Sequence, residues 1–140
     1  MKKSISLIAA LAITMGIAAP AFADDNISVT IDGKAVSFPD QQPIEMNDRV
    51  LVPLRAIFEA LGATVVWNDI NQSVISKKGG TSVQVTVNSY TMLQNGKIKT
   101  LDQPAILMND RVLVPVRAVS EGLGADVSWD DRTKTVIIKQ

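Results

Sequence analysis

The chain has 140 residues, a length that suits one ordinary domain rather than two. Its 14 Lys and Arg residues balance 14 Asp and Glu residues without forming a basic patch, so we expect no nucleic-acid partner, because phosphate neutralisation needs clustered cations. It contains no histidine and no cysteine, which excludes the usual zinc and copper ligand sets, the Cys-His pair and the Ser-His-Asp triad.

The N-terminal segment has the three parts of a secretory signal peptide. Lys2 and Lys3 form a basic region, residues 5–19 form an apolar region, and 21-AFA-23 supplies the small residues that precede cleavage. A retained membrane anchor is the alternative, but the apolar run is short for a span of about 20 residues. We therefore predict a signal peptide at 1–23 and a mature domain at 24–140, with net charge 12 − 14 = −2. Such a product has no membrane span after cleavage and is secreted or held in the cell envelope.

Turn and strand signals begin the mature domain. Asp32-Gly33 lies between alternating stretches and predicts a tight hairpin turn, where glycine tolerates positive φ. The β-rich run from Val50 to Val52 predicts a short strand. Pro53 is expected to be the first residue of a helix, because its missing N–H has no partner in the first turn.

The helix predicted after Pro53 carries one apolar stripe. Its members follow the i, i+3, i+4, i+7 spacing of a buried face and are Leu54, Ile57, Phe58 and Leu61. Gly62 is expected to end this helix. The segments predicted next are a strand around Thr64 to Trp67, a strand at Ser73 to Ser76, a flexible joint at Lys77 to Gly80, and a half-exposed strand at 82-SVQVTV-87.

The segment 46-MNDRVLVPLRAIFEALGATVVWND-69 returns as 108-MNDRVLVPVRAVSEGLGADVSWDD-131, with 17 of 24 positions identical at an offset of 62. This density indicates internal duplication. The corresponding second-half signals are Asn95-Gly96, Val112 to Val114, Pro115, Gly124, Asp126 to Trp129 and Thr135 to Ile138. We predict one α+β domain with internal pseudo-two-fold symmetry, built from repeats at about 27–78 and 82–139, in which antiparallel strands pack around two short helices.

The two helices differ at two apolar positions. Ser120 and Gly122 stand where the first helix has Phe58 and Ala60, so the second helix has a thinner apolar face. That helix either packs against the joint between the halves or leaves a shallow groove. Both alternatives are open from the sequence.

Two carboxylates are the first candidates for catalysis. Glu59 and Glu121 are the residues that a glycosidase-like mechanism would use. Each stands four residues after an arginine, Arg55 or Arg117, and such pairs on an exposed helix face commonly stabilise the helix by a few tenths of a kcal/mol. The structural interpretation is therefore favoured.

Two arginines and two tryptophans are the candidates for partner binding. Arg49 and Arg111 follow an aspartate and precede a strand in each half, where an arginine either bonds nearby carbonyls and carboxylates or anchors an anionic partner. Trp67 and Trp129 occupy matching strand positions. If exposed, they stack on sugar rings or anchor a protein; if buried, they cap the helix from the sheet side. Strand alternation favours partial burial.

Together, the repeated pattern from Arg49 to Trp67 and from Arg111 to Trp129 closely resembles the copper amine oxidase N-terminal-like domain, also called the stalk domain, of exported bacterial proteins. The resemblance covers essentially the whole mature chain and implies antiparallel strands around helices at the cell surface or in secreted proteins. In copper amine oxidases, the copper and the quinone belong to a separate catalytic domain. The resemblance therefore implies no oxidase activity, no cofactor and no metal in this chain.

Three functional hypotheses follow. The leading one is a non-catalytic exported module that binds a protein or a cell-wall polymer, or spaces other molecules at the envelope. A small secreted hydrolase that uses carboxylates is the alternative from a different class. The third is an inhibitor or regulatory subunit of an exported enzyme. The sequence does not define the partner or the oligomeric state.

Overall fold

The computed structural model describes residues 26–140, so the predicted signal peptide lies outside the described residues. Within them, the elements in chain order are β1 (Ser28–Ile31), β2 (Lys34–Ala35), β3 (Ile44–Met46), β4 (Arg49–Pro53), α1 (Leu54–Ala60), β5 (Thr64–Asn68), β6 (Ser73–Lys78), β7 (Thr81–Thr86), β8 (Thr91–Gln94), β9 (Lys97–Thr100), β10 (Ile106–Met108), β11 (Arg111–Pro115), α2 (Val116–Leu123), β12 (Asp126–Asp130) and β13 (Thr135–Lys139). Neither helix in this part of the chain is long and apolar enough to cross a membrane.

The strands form three sheets. One has five strands in the order β9-β8-β7-β6-β5, a central one has the order β10-β11-β4-β3, and a third has the order β12-β13-β1-β2. Pairing is mostly antiparallel, and α1 and α2 pack on strands of these sheets. The predicted α+β class, with antiparallel strands around two short helices, is confirmed.

One strand pair departs from the antiparallel prediction. Near the two ends of the described chain, β1 and β13 pair in parallel, with Val29 opposite Val136 and Ile31 opposite Ile138. All four of these side chains are buried. The hairpin of β1 and β2 therefore belongs to the same sheet as β12 and β13. This sheet combines strands from both predicted repeats.

Tight turns close the predicted hairpins. Asp32 and Gly33 adopt φ of 49° and 85°, and Asn95 and Gly96 adopt 51° and 82°, as two-residue turns of this hand require. The prediction of a flexible joint at Lys77 to Gly80 is wrong, because β6 continues to Lys78, which pairs with Thr81 at the start of β7. Only Gly79 and Gly80 turn the chain.

The first helix begins one residue later than predicted. Pro53 has an extended ψ of 120° and caps the helix, because it is still paired opposite Leu113 in the central sheet. At the other end, Gly62 adopts φ of 95°. The N–H of Gly62 bonds the carbonyl of Glu59, and the N–H of Ala63 bonds the carbonyl of Phe58 at 2.9 Å, which is the paired arrangement of a Schellman motif.

The core lies between the helices and the sheets. The predicted stripe of α1 is buried, with Leu54, Ile57, Phe58 and Leu61 at most 2% exposed. Burying one such side chain stabilises the fold by about 1.5–3 kcal/mol before entropy is subtracted. The stripe therefore anchors the helix to the sheets.

Gly122 shows what the second helix packs against at one of its two thin positions. A methyl group at this position would lie 3.2 Å from Cγ2 of Val83 and 3.6 Å from Sδ of Met92. The side-chain amide of Gln94 donates to the carbonyls of Glu121 and Gly122, each at 2.9 Å. At Gly122, α2 therefore packs directly against β7 and β8, the strands that follow the Gly79-Gly80 turn.

Candidate functional site

The two candidate arginines bond to the opposite halves of the chain. Arg49 contacts Oδ2 of Asp102 through Nη2 at 2.9 Å and through Nε at 3.0 Å. Arg111 contacts Oδ2 of Asp40 through Nη2 at 2.9 Å. Both arginine side chains remain more than two-fifths exposed. They contact a carboxylate as the structural interpretation expected, and their side chains remain partly open to solvent.

The Arg49–Asp102 pair shifts both groups toward their charged forms. The hydrogen bond from Arg49 holds the pKa of Asp102 below its ordinary value, and partial desolvation opposes this shift. The same hydrogen bond raises the pKa of Arg49. The positive charge of Arg117 also lowers the pKa of Asp102. Two arginines, one from each half, therefore favour the charged form of Asp102.

Two amide pairs also join one half of the chain to the other, as the two arginine–aspartate pairs do. Asn47 Nδ2 donates to Oε1 of Gln103 at 3.0 Å, and Asn109 Nδ2 donates to Oε1 of Gln41 at 2.8 Å. Asn47 and Asn109 lie in the turns before β4 and β11 and have positive φ. Each turn is therefore tied to the segment that precedes the other half's hairpin.

Both tryptophans lie on edge strands, and the side chains are partly exposed to solvent. Trp67 is partly buried, as alternation favoured, whereas Trp129 is exposed, at 41% of its surface, and departs from that expectation. Each ring N–H donates to the aspartate two residues later, from Trp67 to Asp69 at 3.4 Å and from Trp129 to Asp131 at 3.3 Å. These bonds orient both rings beside their strands.

The four candidate residues separate into two grooves. Groove 1, of about 670 Å³, includes Asp40, Arg55, Glu59, Trp67, Leu107 and Arg111. Groove 2, of about 500 Å³, includes Glu45, Arg49, Arg117, Glu121, Trp129 and Lys134. Trp67 is thus brought together with Arg111, and Trp129 with Arg49. Each groove combines the helix and tryptophan of one half with the strand-leading arginine of the other.

The two candidate catalytic carboxylates are not brought together. Glu59 lines groove 1 and bonds Arg55 at 3.0 Å, whereas Glu121 lines groove 2. Within residues 26–140, Arg117 and Glu121 form no ion pair, so the predicted arginine–glutamate pair exists only on α1. A two-carboxylate glycosidase needs both groups on either side of one bond, and these two do not share a cleft.

Comparison with known proteins identifies a matching family and a similar protein. The model of the family described as "Copper amine oxidase N-terminal domain" matches residues 30–138. The chain belongs to this family. It is also similar to a protein named "Protease inhibitor" from Brevibacillus choshinensis, with 32% identity over 113 residues. That match covers 79% of this chain and 34% of the relative, so the chain spans about a third of the relative's length.

The name of the copper amine oxidase N-terminal domain raises the question of copper. Protein copper sites use imidazole and sulfur ligands, and this sequence contains no histidine or cysteine. Its acidic residues, as far as the structure describes them, do not form a group of three or more able to hold a metal ion. The residues of this family member therefore do not fit copper.

Three features in or near the grooves were missed by sequence reasoning. Leu107 is 46% exposed in groove 1, and Ile70 is 96% exposed in the turn after Trp67. Arg55 also donates to the backbone carbonyl of Val65 at 3.3 Å. The available signal for Leu107 was the repeat, because Leu107 stands where the first copy has Glu45. The other two features depend on tertiary placement.

Proposed function

We propose that this copper amine oxidase N-terminal domain is a non-catalytic module that binds a protein partner through groove 1 and groove 2. The observation that carries the proposal is the joining, in each groove, of a tryptophan from one half with an arginine from the other. Tryptophan and arginine are the side chains most enriched at protein interfaces, because each combines a large rigid surface with hydrogen-bond donors.

The absence of catalysis is part of this proposal. It is supported by the separation of Glu59 and Glu121 into different grooves and by a sequence without histidine or cysteine. The internal pseudo-two-fold duplication is proposed as the origin of the two grooves, because positions 62 apart line both: Trp67 and Trp129, and Arg55 and Arg117.

Export is also part of the proposal. Its support is the signal-peptide pattern of the first 23 residues and the resemblance to domains of exported proteins. Cleavage after Ala23 is tested by the intact mass of the protein recovered from culture medium. A protein that begins at Asp24 agrees with export, and one that retains Met1 inside the cell contradicts it.

Regulation of a protease is the second candidate function. A relative named for protease inhibition shares 32% identity over 113 residues, and an inhibitor is one form of protein-binding module. Because this chain spans about a third of that relative, inhibition by the region shared with this chain is a proposal of its own.

Binding and inhibition are tested together on defined proteins. The full chain is titrated against secreted serine, cysteine and metalloproteases, with binding followed by interferometry and activity by casein hydrolysis. We expect at least one protease to bind, with affinity reduced about tenfold or more by Trp67→Ala or Trp129→Ala. Tyr90→Ala is the matched control, because Tyr90 is 57% exposed and lies outside both grooves.

Each other outcome assigns a different function. Binding without loss of protease activity supports a docking module and removes the inhibitor candidate. Sedimentation with peptidoglycan but not with any protein assigns a cell-wall polymer instead. Hydrolysis of a glycan by the chain, lost in Glu59→Gln or Glu121→Gln, contradicts the non-catalytic proposal.

A further inference from the structure

Both grooves are bordered by the open edge of a β-sheet. β5 is the last strand of the five-stranded sheet, and β12 is the last strand of the third sheet. Val65 and Trp67 of β5 line groove 1, and Val127 and Trp129 of β12 line groove 2. Backbone groups at a sheet edge lack a strand partner and form a template for another chain.

Hydrogen bonding shows where those backbone groups point. In an antiparallel pair, successive residues alternate between facing the partner strand and facing away from it. The carbonyl of Val65 accepts a hydrogen bond from Arg55, so Val65 faces away from β6. β12 pairs with β13 in the matching register, with Val127 opposite Ile138. The backbone groups of Val127, and of Trp129 two residues later, therefore face groove 2.

The two edges differ in how they are covered. In groove 1, Arg55 bonds the Val65 carbonyl at 3.3 Å and is itself held by Glu59 at 3.0 Å. In groove 2, no described side chain donates to the carbonyl of Val127, and Arg117 occupies the position that matches Arg55. Trp129 is also more exposed than Trp67. Groove 2 is therefore the one with an accessible edge.

The charge of groove 2 favours a basic partner. Its acidic side chains are Glu45, Asp48, Glu121 and Asp131, and its basic ones are Arg49, Arg117 and Lys134. Because Arg49 is paired with Asp102 outside the groove, four carboxylates face two other cations, a balance of 2 − 4 = −2. Complementary charge steers a partner toward such a surface, and a volume of about 500 Å³ is within the range of ligand-binding clefts.

We propose that groove 2 receives an extended basic segment of a partner protein, which adds as a further strand beside β12. The inference rests on the proposed function and names the form that its partner takes. Main-chain hydrogen bonds to Val127 and Trp129 hold the segment, as in other cases of strand addition. Its apolar side chains contact the ring of Trp129, and its lysine or arginine side chains meet Asp48 and Glu121.

The experiment uses short peptides of defined sequence. The full chain is titrated with a fluorescent seven-residue peptide that alternates lysine with valine and is blocked at both ends. We expect saturable binding of one peptide per chain, and much weaker binding when glutamate replaces lysine. Trp129→Ala should weaken binding about tenfold or more, while the matched Trp67→Ala should leave it unchanged. Unfolding midpoints confirm that both variants are folded.

N-methylation separates strand addition from side-chain docking. Alternate amides of an added strand face β12, so methylation of one alternate set should abolish binding and methylation of the other set should preserve it. Arg55→Ala should expose the Val65 carbonyl and raise the stoichiometry to two peptides per chain. A stoichiometry that stays at one would overturn the role given to Arg55 and, with it, the choice of groove 2.

Three further results would overturn the inference. They are no saturable peptide binding, equal effects of the two methylation sets, and a dimer of the chain that Trp129→Ala dissociates, which would make a second copy the occupant. A protein partner that binds through the tryptophans while every peptide fails would remove the inference and leave the proposed function standing. Peptide binding without any protein partner would leave the edge pairing standing and remove the proposed function.

Discussion

Individual side chains show how one residue serves both structure and surface. Arg49 and Arg111 each bond a carboxylate from the other half at 2.9 Å, yet both line a groove beside a tryptophan. From the sequence, the anchoring and structural interpretations were alternatives. In the folded chain they are compatible, because a guanidinium has five N–H donors and one carboxylate does not engage all of them.

The Arg49–Asp102 pair predicts a pH-dependent coupling. Because the hydrogen bond from Arg49 lowers the pKa of Asp102 in the folded state, the pair stabilises the fold fully above the unfolded pKa of about 3.9. That contribution is lost as the pH falls through the lower folded pKa. A double-mutant cycle with Arg49→Gln and Asp102→Asn, measured by urea unfolding, should give a coupling that is present at pH 7 and shrinks below about pH 4. A coupling that is unchanged at low pH contradicts the assignment.

The close packing around Gly122 predicts that a larger side chain at this position lowers the stability of the fold. Gly122→Ala places a methyl group 3.2–3.3 Å from the Cγ atoms of buried Val83, and overpacking of this kind costs about 1–3 kcal/mol. The gain in helix propensity offsets about 1 kcal/mol. We expect chemical denaturation to show a net loss of roughly 1 kcal/mol.

Val83→Ala supplies the control for this prediction. It removes the two methyl groups that the new side chain would meet. The double variant should therefore lose less stability than the sum of the two single variants. Strictly additive losses would show that Val83 does not limit the approach of α2 to β7.

The secondary-structure elements show where local signals are sufficient. The Gly62 signal ends α1 as predicted, through a Schellman motif, because backbone strain and helix-end hydrogen bonding are local properties. The predicted start of α1 at Pro53 was wrong by one residue, because pairing with Leu113 in the central sheet keeps Pro53 extended. The edge strands β5 and β12 match in register, but only β5 is covered by an arginine.

Two glycines predict opposite responses to the same substitution. Gly62 has φ of 95°, so Gly62→Ala forces a side chain into the left-handed region and should destabilise the protein by about 1–2 kcal/mol. Gly80 lies outside that region, and a methyl group added there would meet nothing within 4 Å, so Gly80→Ala should be neutral or stabilise by about 0.4–1 kcal/mol. Thermal and urea unfolding of both variants test the contrast. Equal losses would contradict the role of φ.

At the scale of the whole molecule, the two halves depend on each other for their sheets. β4 pairs with β11 in the central sheet, and β1 pairs with β13 in the third. The ion pairs Arg49–Asp102 and Arg111–Asp40 cross in the same way. Separating the halves would therefore expose backbone edges and apolar faces that are paired or covered in the intact chain.

Separated halves should consequently fail to fold. Residues 24–78 and 82–140, expressed alone, are expected to lack a cooperative unfolding transition in circular dichroism, because each loses its partner strands in the central and third sheets. Mixing them at equal concentration should restore the far-ultraviolet signal of the intact chain. The intact chain provides the control and should unfold in one transition. A half that unfolds cooperatively by itself contradicts this mutual dependence.

Local sequence signals were sufficient for the α+β class, most strands, both helices, the hairpin turns and the family, because these depend on periodicity, turn residues and a motif present twice. The duplication that this motif indicates, with 17 of 24 positions identical, stays a prediction. Only the folded arrangement reveals that Trp67 shares groove 1 with Arg111 and Trp129 shares groove 2 with Arg49. It also reveals that β1 pairs in parallel with β13 and that Arg55 covers one sheet edge. The physical reason is that the crossed ion pairs join residues 53 and 71 apart and that β1 and β13 pair residues 136 − 29 = 107 apart. Local periodicity carries no information about which distant edge or charge a residue will contact.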